Sequence, residues 1–343
     1  MLATLKELCA LSGVSGDEDE VREYILDHVK DYADEVVTDA MGNVIVYKKG
    51  ARTPEKKLVL CAHMDEVGVV VTGISDDGFL RFASAGSVDS RVVAGKAVTF
   101  GKQRIPGVIG SKAIHLQKAK DREKVLGIED LYIDVGAKNK EEAEALVTPG
   151  DTGAFDGDIR EFGDGFLKAK AIDDRLGCAV LLDLIRSDLP IDCMFAFTVQ
   201  EEVGLRGAST AAFRTAPDMA LIIEGTTAAD LPSVSESKKV CKAGGGVVIP
   251  FMDGGTIYNK ELRGMLIAIA ERNGMMWQTK NVIAGGTDGA SFQRSRGGVK
   301  TAGIAAPIRN LHSQSCVGKI SDMEAVCRLA RLFIEEMAFQ VES

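Results

Sequence analysis

The sequence predicts an α/β fold: a mostly parallel sheet sandwiched by helices, with a small β-rich domain inserted into it. Three observations predict it. Short apolar runs of strand length alternate with helical periodicities over the last half of the chain, which is the pattern of strands joined by crossover helices. The texture changes between about residues 70 and 162, where short β-type runs dominate. The α/β rhythm then resumes, so the β-rich part is an insert. The predicted α/β domain is therefore discontinuous, residues 1–69 and 163–343, with the insert at 70–162.

Each element has its own signal. "GDEDEVREYILDHVKDYA" places Val21, Ile25 and Val29 on one helical face, with acids in the first turn. "EVVTDAMGNVIVYKKG" reads as a hairpin and "KKLVLCAHMDE" as a buried strand. In the insert, "GVVVTGI", "FLRFASAG", "KAVTFGKQRIPGVIG", "LYIDVGA" and "TGAFDG" are strands separated by glycines and acidic turns, and only "NKEEAEALV" is helical. Beyond it come the helix "DDRLGCAVLLDLIRS", the strand "IDCMFAFTVQ", the helix "RGASTAAFRTA", the strand "MALIIEG", and the helices "NKELRGMLIAIAERNG" and "DMEAVCRLARLFIEEMAF". "AGGGVVIPFMDGG" reads as a loop; it lacks the phosphate-loop and dinucleotide spacings.

Composition narrows the function. A net charge of -9 argues against nucleic acid or an anionic membrane as the main partner. Seven scattered cysteines without a CxxC pair read as reduced thiols, and no apolar run approaches the roughly 18 residues of a membrane span. The N-terminal stretch carries Lys6 and Glu7, unlike a signal peptide. A cytoplasmic protein is expected.

Sites in open α/β sheets gather at the carboxyl ends of the strands. Those ends deliver His63 and Asp65, Asp173 and Asp174, Glu201 and Glu202, Glu224, and His312. Each has a bland reading alone: a satisfied histidine, an N-cap in "IDD", a solvated strand end in "QEE", a turn in "IIEG". Together they are harder to dismiss, because two of only four histidines fall in the set. Two histidines with several carboxylates form a mixed N/O donor set suited to zinc, cobalt or manganese. Two divalent ions would bring +4 against -3 from Asp173, Glu202 and Glu224, leaving an electrophilic centre. Glu201, not needed as a ligand, is then free to hold the proton of a metal-bound water.

The motifs "AHMDEVG", "AIDDRLGCAV", "TVQEEVGLRGA", "GGTDGA" and "RNLHS", in this order, resemble the tetrahedral aminopeptidase family of two-metal exopeptidases, which includes glutamyl and deblocking aminopeptidases. The likeness covers nearly the whole chain. It implies His63 on one metal, Asp173 bridging both, Glu202 and His312 on the second, and Glu224 completing the first. It implies Glu201 as general base towards a water shared by the metals, and Asp65 behind His63. The family usually has aspartate where this chain has Glu224. Asp230 lies six residues past the expected strand end and is set aside as a ligand. The resemblance further implies removal of N-terminal residues from peptides and assembly as a homo-oligomer, a tetrahedral dodecamer using the insert for contacts. "GGTDGASF" is expected to line the substrate pocket through Gly286, Thr287 and Asp288. The alternatives are a carboxypeptidase, dipeptidase or deacylase with the same ligand logic, an endoglucanase, or a metal-binding assembly protein without turnover. A sugar cleft would need aromatic platforms, and the chain has one tryptophan and five tyrosines.

Overall fold

The computed structural model describes residues 1–339. The chain opens with helices α1 (Leu2–Ala10) and α2 (Asp19–Val29), then strands β1 (Glu35–Thr38), β2 (Val44–Lys48) and β3 (Leu58–His63). The next stretch holds β4 (Gly68–Ile74), β5 (Leu80–Ala85), β6 (Ala97–Phe100), β7 (Ile105–Ser111), β8 (Leu131–Asp134), α3 (Lys140–Glu144) and β9 (Thr152–Phe155). It is followed by β10 (Arg160–Phe162), β11 (Phe166–Ala169), α4 (Ile172–Ile185), β12 (Cys193–Thr198), α5 (Arg206–Thr215) and β13 (Met219–Thr227). The last part contains β14 (Val247–Val248), α6 (Lys260–Arg272), β15 (Trp277–Gln278), α7 (Gly289–Gln293), β16 (Lys300–Arg309), β17 (Cys316–Lys319) and α8 (Ile320–Phe339).

The large sheet runs β1-β2-β12-β3-β13-β16-β17-β11-β10. Its centre, β12-β3-β13-β16, is parallel. The wings are antiparallel, so "mostly parallel" describes only the centre. The physical reason is connection length. β1 and β2, like β10 and β11, are joined by short turns, which can only return the chain antiparallel. Because β17 reverses against β16 and β11 reverses against β17, β11 again points with the central strands. The carboxyl ends of β3, β11, β12, β13 and β16 therefore share one edge. "AGGGVVIPFMDGG" is not wholly loop: it contains β14, which pairs with β15 and β16.

Both faces of the centre are covered. Leu58, Leu60 and Ala62 of β3 pack into the larger core with α1, α2, α4, α6 and α8, while Val59 and Cys61 pack against α5 and α7. That alternation is the period-2 geometry of a strand buried on both sides. In α2, Val21, Ile25 and Val29 are fully buried, as their spacing predicts.

Strands β4-β5-β8-β7-β6-β9 close into a barrel with its own core, including Val69, Phe82, Val98, Phe100 and Ile133. Arg160–Phe162 pairs with β11 in the large sheet, not with the barrel. The barrel sits in the chain between His63 and Asp173. It is fastened by Arg104, which donates to Ser12 and Glu20, and by Thr152, which donates to Asp17.

Beneath the ligand edge lies a buried ionic knot. Glu66 accepts from Lys170 and Arg175 and from the Gly13 N–H. Arg175, wholly buried, also donates to the carbonyls of Leu8 and Met64. The knot ties the end of α1, the turn after β3 and the start of α4 together. Removing one partner strands two buried cations. Glu66→Ala should therefore cost about 3–5 kcal/mol of stability, read from urea or thermal unfolding. A loss no larger than the ~1 kcal/mol of a surface pair would show that the knot is dispensable.

Candidate metal centre

The shared edge brings the expected residues together. His63 is the last residue of β3. Its Nε2 lies 3.6 Å from Asp173 Oδ1 and 3.6 Å from Glu224 Oε2. His312 lies three residues past β16, and its Nε2 is 3.3 Å from Glu202 Oε2 and 3.7 Å from Asp173 Oδ2. The two oxygens of Asp173 thus face two different histidines. Glu224 is not at a strand end; it sits inside β13, beside Ala305 of β16, with its side chain buried against His63. Asp230 is occupied elsewhere, accepting both Nε and Nη2 of Arg309.

Supporting bonds fix the orientation of each donor. His63 Nδ1 is 3.1 Å from the Asp65 carbonyl oxygen, and His312 Nδ1 is 3.0 Å from that of Ser87. Both rings therefore aim Nε2 at Asp173, which is how a ligating imidazole is held. Asp65 does more than stand behind His63. Its carboxylate accepts the N–H groups of Glu201 (2.9 Å) and Glu202 (3.1 Å) and the Ser15 hydroxyl (2.6 Å). It is the hub that shapes the segment after β12. Asp174 follows the bland reading: its carboxylate accepts the N–H of Gly177, as an N-cap does, and that of His63. It also lies within reach of the His63–Glu224 donors.

The backbone around the donors is constrained. Among the described residues, the non-glycine positions Ala171, Gln200, Leu205 and Asn310 have positive φ and flank the donors, and the donor His312 has positive φ itself. Each costs about 1–2 kcal/mol. Such conformations persist where surrounding bonds enforce them, and at Gln200 the enforcement is visible: its N–H donates to buried Glu18.

A cavity of about 290 Å³ opens on the centre. It is lined by His63, Asp173, Glu201, Glu202, Glu224 and His312, and further by Tyr258, Lys280 and Gly285–Thr287. Of the expected pocket residues, Gly286 and Thr287 line it. Asp288 is packed behind, accepting from the Thr198 hydroxyl and the Cys61 thiol. Ser87, Ser15 and Tyr258 carried no signal in the sequence. Ser87 belongs to the barrel segment, and Tyr258, which donates to Asp253, lies far along the chain from any motif.

The charge distribution asks for cations. Burial pushes the carboxyls of Glu201 and Glu224 well up, and burial with Asp173 alongside pushes Glu202 to about 7. Burial opposes charge on His312 too, yet the adjoining Asp173 and Glu202 lift it to about 9. In His63 burial is likewise outweighed, by Asp173 and Asp65, and it is held well up. Glu224 Oε1 is buried with no hydrogen-bond partner. His63, Asp173 and Glu202 each offer one donor atom, all within 4.8 Å of one another, as do His63, Asp174 and Glu224. Tetrahedral zinc with bonds of about 2.0–2.1 Å spaces its ligands by about 3.3–3.4 Å, close to the observed separations. The donors fit divalent ions.

The family profile described as M42 glutamyl aminopeptidase matches residues 42–329. The chain is similar to a protein of Acetivibrio thermocellus provisionally named an aminopeptidase, 39% identical over 331 residues, covering 96% of this chain and 97% of that one. It is 32% identical over 347 residues to the lysyl aminopeptidase of Pyrococcus furiosus, covering 97% and 96%. Among solved structures it is similar to the TET1 peptidase of Pyrococcus horikoshii, described as assembling into a tetrahedron or a large octahedral shell. There the TM-score is 0.84 and the identity 36%, with coverage of 96% and 98%. A Thermotoga maritima protein described as an endoglucanase gives a TM-score of 0.81 and 33% identity, with 99% of each chain covered.

Metal ligation needs neutral imidazole, and His312 without metal holds its proton up to about pH 9. Loading at pH 7 must therefore displace at least one proton per chain. Affinity should rise as pH rises towards 9 and weaken as pH falls. Zinc titration calorimetry in buffers of different ionisation enthalpy measures the release; zero protons displaced at pH 7 would contradict this ligation.

Proposed function

The chain belongs to the M42 glutamyl aminopeptidase family and is a hydrolase acting on peptide bonds; on that premise we propose that it removes residues one at a time from the free N-termini of peptides, using two divalent ions per chain. The observation that carries the reading is Asp173, whose two oxygens face the Nε2 atoms of two separately anchored histidines. His63, Asp173 and Glu224 would hold one ion, and His312, Asp173 and Glu202 the other. Zinc or cobalt suits this set, and manganese is also accommodated. When bound, such ions polarise a carbonyl and lower the pKa of water.

The protein's own groups do the rest. Glu201 takes the proton from the attacking water and delivers it to the leaving amine; it lines the cavity beside Glu202 and is not needed as a ligand. Asp65 keeps Glu201 and Glu202 diverging by holding both backbone N–H groups. The free α-amine of the substrate is cationic and docks at this carboxylate-rich edge. Gly286 and Thr287 contribute to the wall against which the substrate lies.

Self-assembly, with residues 70–162 as the contact domain on a catalytic body of 1–69 and 163–343, follows the same reading. Exposed Ile114, Leu116 and Val125 in the loop between β7 and β8 support it, as does the assembly described for the TET1 peptidase. A reducing compartment such as the cytoplasm is supported by seven cysteines that are all unpaired. Among the described residues no helix is long and apolar enough to cross a membrane. Against a glycosidase, the only aromatic side chain in the cavity lining among the described residues is Tyr258.

Glu201→Gln should lower kcat on aminoacyl anilides by about 10²–10⁴-fold while metal content stays at the wild-type value. Turnover within a few fold of wild type would remove Glu201 from the role of base. Chelation should abolish hydrolysis, and added zinc, cobalt or manganese should restore it, with N-acetylated peptides resistant throughout. Hydrolysis of a glucan that survives full metal removal would favour the glycosidase alternative; cleavage of acetylated substrates would favour the deacylase.

A further inference from the structure

Regular strand pairing ends with β12 at Thr198. The next four residues, Val199 to Glu202, all give their N–H groups to side chains. Val199 donates to Asn43 Oδ1 (3.0 Å) and Gln200 to Glu18 Oε1 (3.1 Å). Glu201 and Glu202 donate to the two oxygens of Asp65 (2.9 and 3.1 Å). Asn43, Glu18 and Asp65 are all buried, and they come from three separate points in the N-terminal part of the chain. The mechanism gives Asp65 a task and Glu18 none. Yet burying a carboxyl is costly, and burial, with the charge of Asp65 nearby, pushes that of Glu18 up to about 7. Glu18 occupies the N-cap position of α2, but its side chain caps no N–H of that helix. Its Oε1 accepts instead from Gly16 (2.7 Å) and from Gln200.

Gln200 has a φ of 55°, in the left-handed region that residues other than glycine avoid. The bond to Glu18 holds it there. Without that acceptor the Gln200 peptide is free to relax to an ordinary conformation, and the turn that follows moves with it. The next two residues are not equally tethered. Glu202 faces His312 at 3.3 Å and would be held by an ion. Glu201 would hold no ion, so its carboxyl goes where its backbone goes. The displacement therefore falls on the base and spares the ligand. On the reading of Glu201 as general base, we propose that Glu18 is a positioning residue for Glu201, acting through the Gln200 N–H.

The test uses the zinc-loaded full chain and aminoacyl anilides. Misplacing a catalytic group by about 1 Å costs on the order of 10²-fold, so Glu18→Ala should lower kcat by about 10- to 100-fold. KM should stay within about 2-fold, and metal content at the wild-type value. Both bonds fall on one oxygen, so Glu18→Gln, which keeps an oxygen there, should recover most of the loss. If the alanine variant does not fold, Glu18→Leu, which fills the space and accepts nothing, takes its place. A double-mutant cycle separates positioning from general loosening. In a Glu201→Gln background, Glu18→Ala should cost less than about 3-fold more, because the group it positions is already gone. Wild-type kcat in Glu18→Ala, a loss of metal, no recovery in Glu18→Gln, or the full further loss in the Glu201→Gln background would each overturn the proposal. Glu201→Gln alone tests the base reading. If it turns over within a few fold of wild type, that reading fails and the proposal falls with it. A slow Glu201→Gln beside a Glu18→Ala as fast as wild type removes Glu18 alone.

Discussion

Mutual repulsion among buried carboxylates is the constraint that the site and its scaffold answer. Asp173, Glu201, Glu202 and Glu224 line one small cavity, with Asp65 immediately behind. Two like charges 4 Å apart cost about 4 kcal/mol at an effective dielectric of 20. Without cations the cluster spreads protons over its members. Glutamates titrate upward, and the histidines keep protons that ordinary imidazoles would lose at neutral pH. Bound divalent ions would remove the repulsion, and Glu224, one of whose buried oxygens has no hydrogen-bond partner, is among the groups that would hold them.

Such a cluster stays assembled only if the backbone gives it no alternative. The central parallel strands supply that rigidity by aligning several carboxyl ends along one edge. Asp65 joins two of the donor segments, and Glu66, one residue further on, joins the same turn to α1 and α4 through Lys170 and Arg175. Adjacent acids thus do opposite work: one faces the chemistry and one anchors the scaffold. The barrel contributes the carbonyl of Ser87 that turns His312 towards Asp173. Its fastening by Arg104 to α2 and to the turn before it is therefore part of the site's construction.

Much of this was legible in the sequence because it rests on local periodicity. The apolar stripe of α2, the double-sided burial of β3 and the switch to short strands after it each leave a local pattern. So did the gathering of His63, Asp173, Glu202 and His312, because strand ends in an α/β sheet converge, whereas Glu224 joins them from inside β13. What escaped depends on partners distant along the chain. The antiparallel wings arise from pairings such as β11 with β17, about 150 residues apart, which no periodicity records. "MALIIEG" stops looking like a strand at Glu224, yet hydrogen bonding to β16 carries β13 on to Thr227. Asp288 read as a pocket residue because its neighbours are glycines; the Thr198 hydroxyl draws it behind the wall instead. Lys280 followed no motif, and only the fold shows that it lies in the cavity wall.

The most direct test of the two-ion centre is anomalous diffraction from crystals of the zinc- or cobalt-loaded protein. The account predicts two peaks per chain on either side of Asp173, one held by His63 and Glu224 and the other by His312 and Glu202. A single peak, or ions bound away from Asp173, would contradict it.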